Sequence, residues 1–453
     1  MENELAVTFT PKRLLKFVLP SVVMMMFMSL YTIIDGMFVS RFVGSDALSA
    51  INITLPAFTL VWAIGIMFAT GGGAIISSDM GEGHYDRARS RFSFIVLFNL
   101  VISLVVTAGL LIFVEPIVMM LGATEGIKAY GIEYLAILGL FVPVSIIKML
   151  LDYFIIAAGR PQLAFILTVL GGVINIVLDY VLIHTLNMGI AGAALATGIG
   201  QLIPVVIAIY FFTRKENTLY FVKPHVEWKI IGKSIINGSS EMVTNLATGV
   251  TTFLFNMAML ELVGEDGVAA MTVVLYSQFL LVSAFLGYVT GISPVISFKY
   301  GEKDRDQLRF IITYSLKFIS LVSVVTFISS YVLAPFITLM FTDKTNPVYE
   351  MTVDGFNLFS ISFLFCGINI FASGMFTAFS NGVVSAIISF LRTLVLIVVL
   401  IVVLPNYMGI NGVWLTIPIA ELLSLVLTIY FLNRYKHRYY YSKDSYDTQD
   451  NEM

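Results

Sequence analysis

GEGHYDRAR, residues 81–89, returns as GEKDRDQLR at residues 301–309, and the two copies are 220 residues apart. The same spacing links VGSDAL at 43–48 to VGEDGV at 263–268, and MGIAG at 188–192 to MGING at 408–412. Gly-x-x-Asp sequences are common at helix ends, but three anchors at one offset are a repeat. Working outward from them, apolar runs fall at 14–39, 51–78, 93–119, 130–158, 161–185 and 189–213. Six more follow at 231–262, 268–298, 310–340, 351–378, 383–405 and 409–433. Each is long enough to cross a bilayer core of ~20 residues. Six crossings per copy give both copies the same orientation, related by a pseudo-twofold axis along the membrane normal with a site between them. The expected fold is therefore an all-α polytopic membrane protein of twelve transmembrane helices in two six-helix lobes. The expected boundaries are 1–213, a linker at 214–230, a second lobe at 231–433, and a polar, disordered tail at 434–453.

Composition agrees. Of 453 residues 58% are hydrophobic and 12% charged, against ~25% charged in an average soluble domain. The single cysteine, Cys366, excludes a disulfide framework and a thiolate metal cluster. The apolar run after MENELAVTFTPKR is too long for a signal-peptide core, so it reads as a retained first span. No P-loop, clustered metal ligands or nucleophile motif stands out, so an enzyme is not expected and neither is a nucleic-acid partner.

Positive charge sets the orientation. Of the 26 Lys and Arg, twenty fall in the terminal segments and the even-numbered loops. Arg41, Lys128 and Lys344 fall in the odd-numbered loops, and Lys148, Lys317 and Arg392 lie within spans. Both termini are expected in the cytoplasm, with the chain in the inner cell membrane.

The chemistry lies where the repeat fails. Ionisable groups within spans cost about 2.5–3.5 kcal/mol each on insertion scales, so they are retained for pairing or function. Shifted by 220, Asp35 maps onto Phe255, Asn175 onto Val395, Asp179 onto Val399 and Thr197 onto Ile417. Depth counting at ~1.5 Å per residue puts these four polar groups in one layer in the outer half of the first lobe. Their oxygens suit Na⁺ held transiently or a shared proton, and no structural metal or other cofactor is expected. In the second lobe, Glu241 and Glu421 lie near mid-bilayer opposite the neutral Ser21 and Gln201. These two acids, with Gln201, are candidates for a substrate site or a second coupling site. Lys148 and Asp152 read as a local i,i+4 ion pair, and Arg392 and Lys317 as side chains reaching back to the cytoplasmic face. Pro20 frees a carbonyl inside span 1 and permits a bend there.

Taken together, LP in span 1, YTIIDGMFVSRFVG around Asp35, N-x-x-x-D in span 5 and GIAGAALATGIGQ in span 6 resemble the multidrug and toxic compound extrusion (MATE) transporters. The likeness is to the bacterial and archaeal branch with its coupling acids in the N-terminal lobe, and it covers residues 10 to 435. It implies a V-shaped pair of lobes that exports organic cations and amphiphilic drugs by antiport with H⁺ or Na⁺. It also implies a coupling site at Asp35, Asn175, Asp179 and Thr197, and a first helix that bends near Pro20. The expected partners are small cationic or amphiphilic molecules and the lipid bilayer, with the chain acting as a monomer. A lipid-linked oligosaccharide flippase of the same superfamily is the alternative, and a major-facilitator carrier a weaker one.

Overall fold

The structure, a computed structural model, describes residues 4–441, the side chains of residues 35–41 and 45 excepted. The first half contains α1 (Pro11–Phe42), α2 (Ser45–Gly81), α3 (Tyr85–Ile112) and a short α4 (Val114–Met120). A bent pair follows, α5 (Glu125–Leu140) and α6 (Val142–Ala157), then α7 (Pro161–Asp179) and α8 (Gly189–Thr213). The second half runs through α9 (Trp228–Leu262), α10 (Glu265–Glu302) and α11 (Arg305–Leu339) to a second bent pair, α12 (Pro347–Ser360) and α13 (Phe363–Ala378). It ends with α14 (Gly382–Phe390), α15 (Leu396–Met408) and α16 (Ile410–Tyr435). Among the described residues ten stretches are long and apolar enough to cross a membrane, and the two bent pairs, at 52° and 49°, bring the total to twelve if each is one span. Pro143, in the first turn of α6, explains the first bend, because proline cannot donate to the preceding turn. The second bend falls at the equivalent position 220 residues on but has no proline at its break, so position in the fold holds it.

Glycines record the pseudo-twofold axis. A Cβ on Gly81 would lie 2.0 Å from the Phe298 carbonyl oxygen, and one on Gly301 would lie 2.1 Å from that of Ser78. Subtracting 220 turns one contact into the other. Deeper in the membrane α2 and α9 approach as closely, since a Cβ on Gly238 would lie 1.8 Å from the Met67 carbonyl oxygen. The halves therefore meet backbone to backbone at the end of the molecule that carries the basic loops. On the perimeter Val105, Val206, Phe253 and Phe336 are exposed, as side chains solvated by lipid must be.

The polar linker and the start of the tail are both packed. In the linker, Leu219 is fully buried, the Phe221 ring stacks on Phe92 at 5.0 Å, and Glu227 takes two bonds from Arg91, at 2.9 and 3.0 Å. Arg91 also grips the buried Asp79 at 2.8 and 2.9 Å, so the linker is strapped to α3. Ser90 and Ser93 reinforce this by accepting from the backbone N–H groups of His225 and Val222. The start of the tail behaves likewise. Tyr439 is 2% exposed and stacks on Phe379 at 4.3 Å and 4°, which corrects the expectation of disorder from 434 as far as residue 441. Aromatic residues there gain more by covering the helix ends than by hydration.

Candidate ion and substrate sites

The N-terminal site is built by small residues. Gly171 and Gly200 let α7 and α8 approach until a Cβ on Gly171 would lie 2.8 Å from the Gly200 carbonyl oxygen. Gly172 receives the Phe27 ring of α1 in the same way. Between these helices a small pocket is lined by Tyr31, Lys148, Thr168, Asn175, Thr197 and Gln201. Asn175 is 4% exposed, yet neither its amide nitrogen nor its amide oxygen has a hydrogen-bond partner among the described residues; the Thr168 hydroxyl is in the same position. Buried polar atoms are normally satisfied, so these mark a place for water or an ion. Asp179, one turn beyond Asn175 on the same face, is fully buried, and the chain passes directly from it into a π-helical turn, Tyr180–Thr185. Such turns recur at functional sites.

The structure thus brings Asn175 and Thr197 into one pocket, with Asp179 adjoining. Asp35 lies on α1, but its side chain falls outside the described residues. Gln201 belongs to this pocket rather than to the second lobe's acids, and accepts from Ser145 at 2.6 Å. Lys148 and Asp152 make the ion pair that their spacing predicts, at 2.7 Å. Its location was missed, since Lys148 enters the pocket from α6 beside Asn175.

The second lobe separates its two acids. Glu421 is 6% exposed with both carboxylate oxygens engaged: Oε1 accepts from Arg392 at 2.9 Å and Oε2 from Asn369 at 2.7 Å. Arg392 is buried within a π-helical turn, Leu391–Val395. That corrects the expectation that it reaches back to the membrane surface. Arg392 stands at the repeat position of Gly172, where the first lobe seats the Phe27 ring and the second holds an ion pair instead. Glu241 is half-buried on α9, within electrostatic reach of Arg392, and its carboxylate makes no hydrogen bond or ion pair among the described residues. Of the two acids, Glu241 is the one available to a ligand. Pro20 sits inside an unbroken α1, and Ser21 and Val22 behind it press on Gly287 of α10.

Twelve spans in two parallel lobes, with a buried polar pocket in the first lobe, define a polytopic membrane carrier. The MatE family profile matches residues 20–181 and 242–403, once per half, and the chain belongs to that family. The multidrug export protein MepA of Staphylococcus haemolyticus is 28% identical over 436 residues, covering 94% of each chain. MepA of Staphylococcus aureus strain MRSA252 is 25% identical, covering 93% of this chain and 94% of its own. Among solved structures, a MATE protein in complex with MaL6 superposes with a TM-score of 0.92 at 20% identity, covering 98% of this chain and all of the other. An outward-facing multidrug resistance MATE transporter gives 0.91 at 21% identity, covering 98% and 99%. A Pyrococcus furiosus transporter of the MOP superfamily, described as having a binding pocket of reverse polarity, gives 0.88 at 22%, covering 95% and 97%.

Proposed function

We propose that this protein is a secondary active multidrug exporter that moves organic cations and amphiphilic drugs out of the cell by antiport with H⁺ or Na⁺. The observation that carries the reading is the one-sided polar layer. Asn175 and Asp179 are buried in a polar layer of the first lobe, and their repeat mates, Val395 and Val399, are apolar. A coupling site is needed only once, which suits a buried polar layer present in one copy. Loading the acids removes negative charge from the lobe, which disfavours a cationic substrate and favours its release. By linkage, substrate and coupling ion weaken each other's binding by the same factor. The export activity named for the MepA relatives supports the direction of transport.

In this reading the basic end is cytoplasmic, with both termini there, and the protein acts as a monomer. Closure of the lobes through Gly81 and Gly301 at that end then leaves the cavity open to the outside. Glu241 serves as the counter-charge for a cationic drug. A flippase for pyrophosphate-linked lipids would need uncompensated positive charge in its cavity. Here the buried Lys148 and Arg392 are each matched by a carboxylate, Asp152 and Glu421.

Efflux of a cationic dye from proteoliposomes under separate H⁺ and Na⁺ gradients tests the proposal. Wild-type protein should export against one of the gradients. Asp179→Asn and Asp35→Asn should reach the membrane and lose gradient-driven export. Full export by well-expressed Asp179→Asn and Asp35→Asn proteins would place coupling elsewhere.

A further inference from the structure

The proposed function leaves the coupling ion open between H⁺ and Na⁺. We propose that Lys148 decides it: its ammonium is a resident cation that keeps Na⁺ out of the first lobe's pocket. The inference rests on reading that pocket as the coupling site.

Three observations carry it. First, Lys148 lines the pocket together with Asn175 and Thr197, whereas its partner Asp152 does not, so the pocket meets the positive end of the pair. Second, both side chains are nearly out of water, at 13% and 10% exposure. Their charges are therefore weakly screened, and Asp152 holds the ammonium in place at 2.7 Å. Third, the pair is private to this lobe. Shifted by 220, Lys148 maps onto Ile368 and Asp152 onto Ala372. At these two positions the charged pair is present only in the lobe that has the polar layer.

The chemistry follows from the donor inventory. An ammonium has three N–H donors, and Asp152 accepts one of them. The unpartnered oxygens across the pocket, Asn175 Oδ1 and Thr168 Oγ1, are the hard donors that Na⁺ would need to replace its hydration shell. Lys148 competes for those same oxygens. The pocket is small, with room for an ordered water. Repulsion adds to competition. Asp152 offsets part of this: an ammonium ~6 Å and a carboxylate ~9 Å away, at an effective dielectric of ~20, leave binding of a second cation roughly 5-fold weaker. A proton requires no coordination shell and is not excluded on these grounds.

The test is ²²Na⁺ binding to purified protein, paired with dye export from proteoliposomes under separate H⁺ and Na⁺ gradients. Wild-type protein should show no saturable Na⁺ binding up to physiological salt, and its export should follow the pH gradient alone. Lys148→Met paired with Asp152→Leu removes the charges together and should bind Na⁺ roughly 5-fold more tightly than wild type. Lys148→Gln paired with Asp152→Asn provides a polar counterpart should the first pair fold poorly. Saturable Na⁺ binding or Na⁺-driven export by wild-type protein would overturn the inference while leaving antiport intact. Folded double variants as blind to Na⁺ as wild type would overturn the role given to Lys148. Wild-type export that ignores both gradients would instead refute the proposed function.

Discussion

Replacing Glu421 with glutamine removes one charge from a pair whose side chains are only 10% and 8% exposed. The amide oxygen can still accept from Asn369, but an amide cannot neutralise Arg392, whose Nε already lacks a partner among the described residues. Breaking a buried pair by removing one partner costs about 3–5 kcal/mol. Glu241, within electrostatic reach of Arg392, offsets part of this, so ~3 kcal/mol is expected. At roughly 3 °C per kcal/mol for a unit of ~200 residues, the melting temperature falls by on the order of 10 °C. Arg392→Met paired with Glu421→Met should melt close to wild type, because an apolar pair of similar volume replaces a buried ion pair without penalty. Glu241→Gln has no partner to lose and should melt within ~2 °C of wild type, yet bind a cationic dye more weakly than a neutral one of similar size. Thermal unfolding followed by fluorescence, with dye binding on the same preparations, separates the cases. If Glu421→Gln melts like wild type and loses as much cationic dye affinity as Glu241→Gln, the division of labour between the two acids is wrong.

Three other expectations bear on architecture. Gly81→Ala and Gly301→Ala each force a methyl group to within about 2 Å of a facing carbonyl oxygen. Spin-label distances across the basic end should widen equally in both, and a response from one alone would contradict the pseudo-twofold contact. The hydrogen bond from Arg91 holds the Glu227 carboxyl below the usual carboxylate value of 4.5. The stability of the linker clamp is thus fully present above that pH and lost as pH falls through the depressed value. Emission from Trp228, edge-on to Phe94 and Phe98, should shift in that acid window; Arg91→Gln should abolish the step, and a step that survives it has another origin. Cysteines at Gly126 and Asn346 should react with an impermeant thiol reagent from outside in a Cys366→Ser background, and cysteines at Gly83 and Asp304 should not; the reverse pattern would invert the orientation.

Periodic and repeated features were legible in the sequence; pairings between distant residues were not. Twelve apolar runs and the 220-residue offset give the lobes, because helix length in a bilayer is a one-dimensional property. The polar layer was legible for the same reason, since Asn175 and Asp179 stand out against Val395 and Val399. Arg392 was misread because distance from a helix end says nothing about a partner on another helix. Glu421 is 29 residues further on, and only the packing of α16 against the π-helical turn brings the two together. Lys148 was misplaced for a similar reason: its i,i+4 partner explained it locally and hid which way the pair faced. The linker and the start of the tail looked polar, yet Leu219, Phe221 and Tyr439 cap the helix ends with apolar surface.

The straps that lead into each half cross over. The segment before α1 bonds to Gln307, at the start of α11 in the other half, through the backbone N–H of Phe9 at 2.8 Å. The segment before α9 is held by Arg91, at the start of α3. Each leader grips the opposite lobe at the equivalent place, which is the reciprocal contact pattern of a twofold homodimer. In such an ancestor every substitution would appear twice, so an acidic layer gained on one side would be imposed on the other. Joining the copies in one polypeptide lifts that constraint. One lobe could keep glycine at 172 beside its polar pocket while the other placed arginine at 392 and paired it with Glu421.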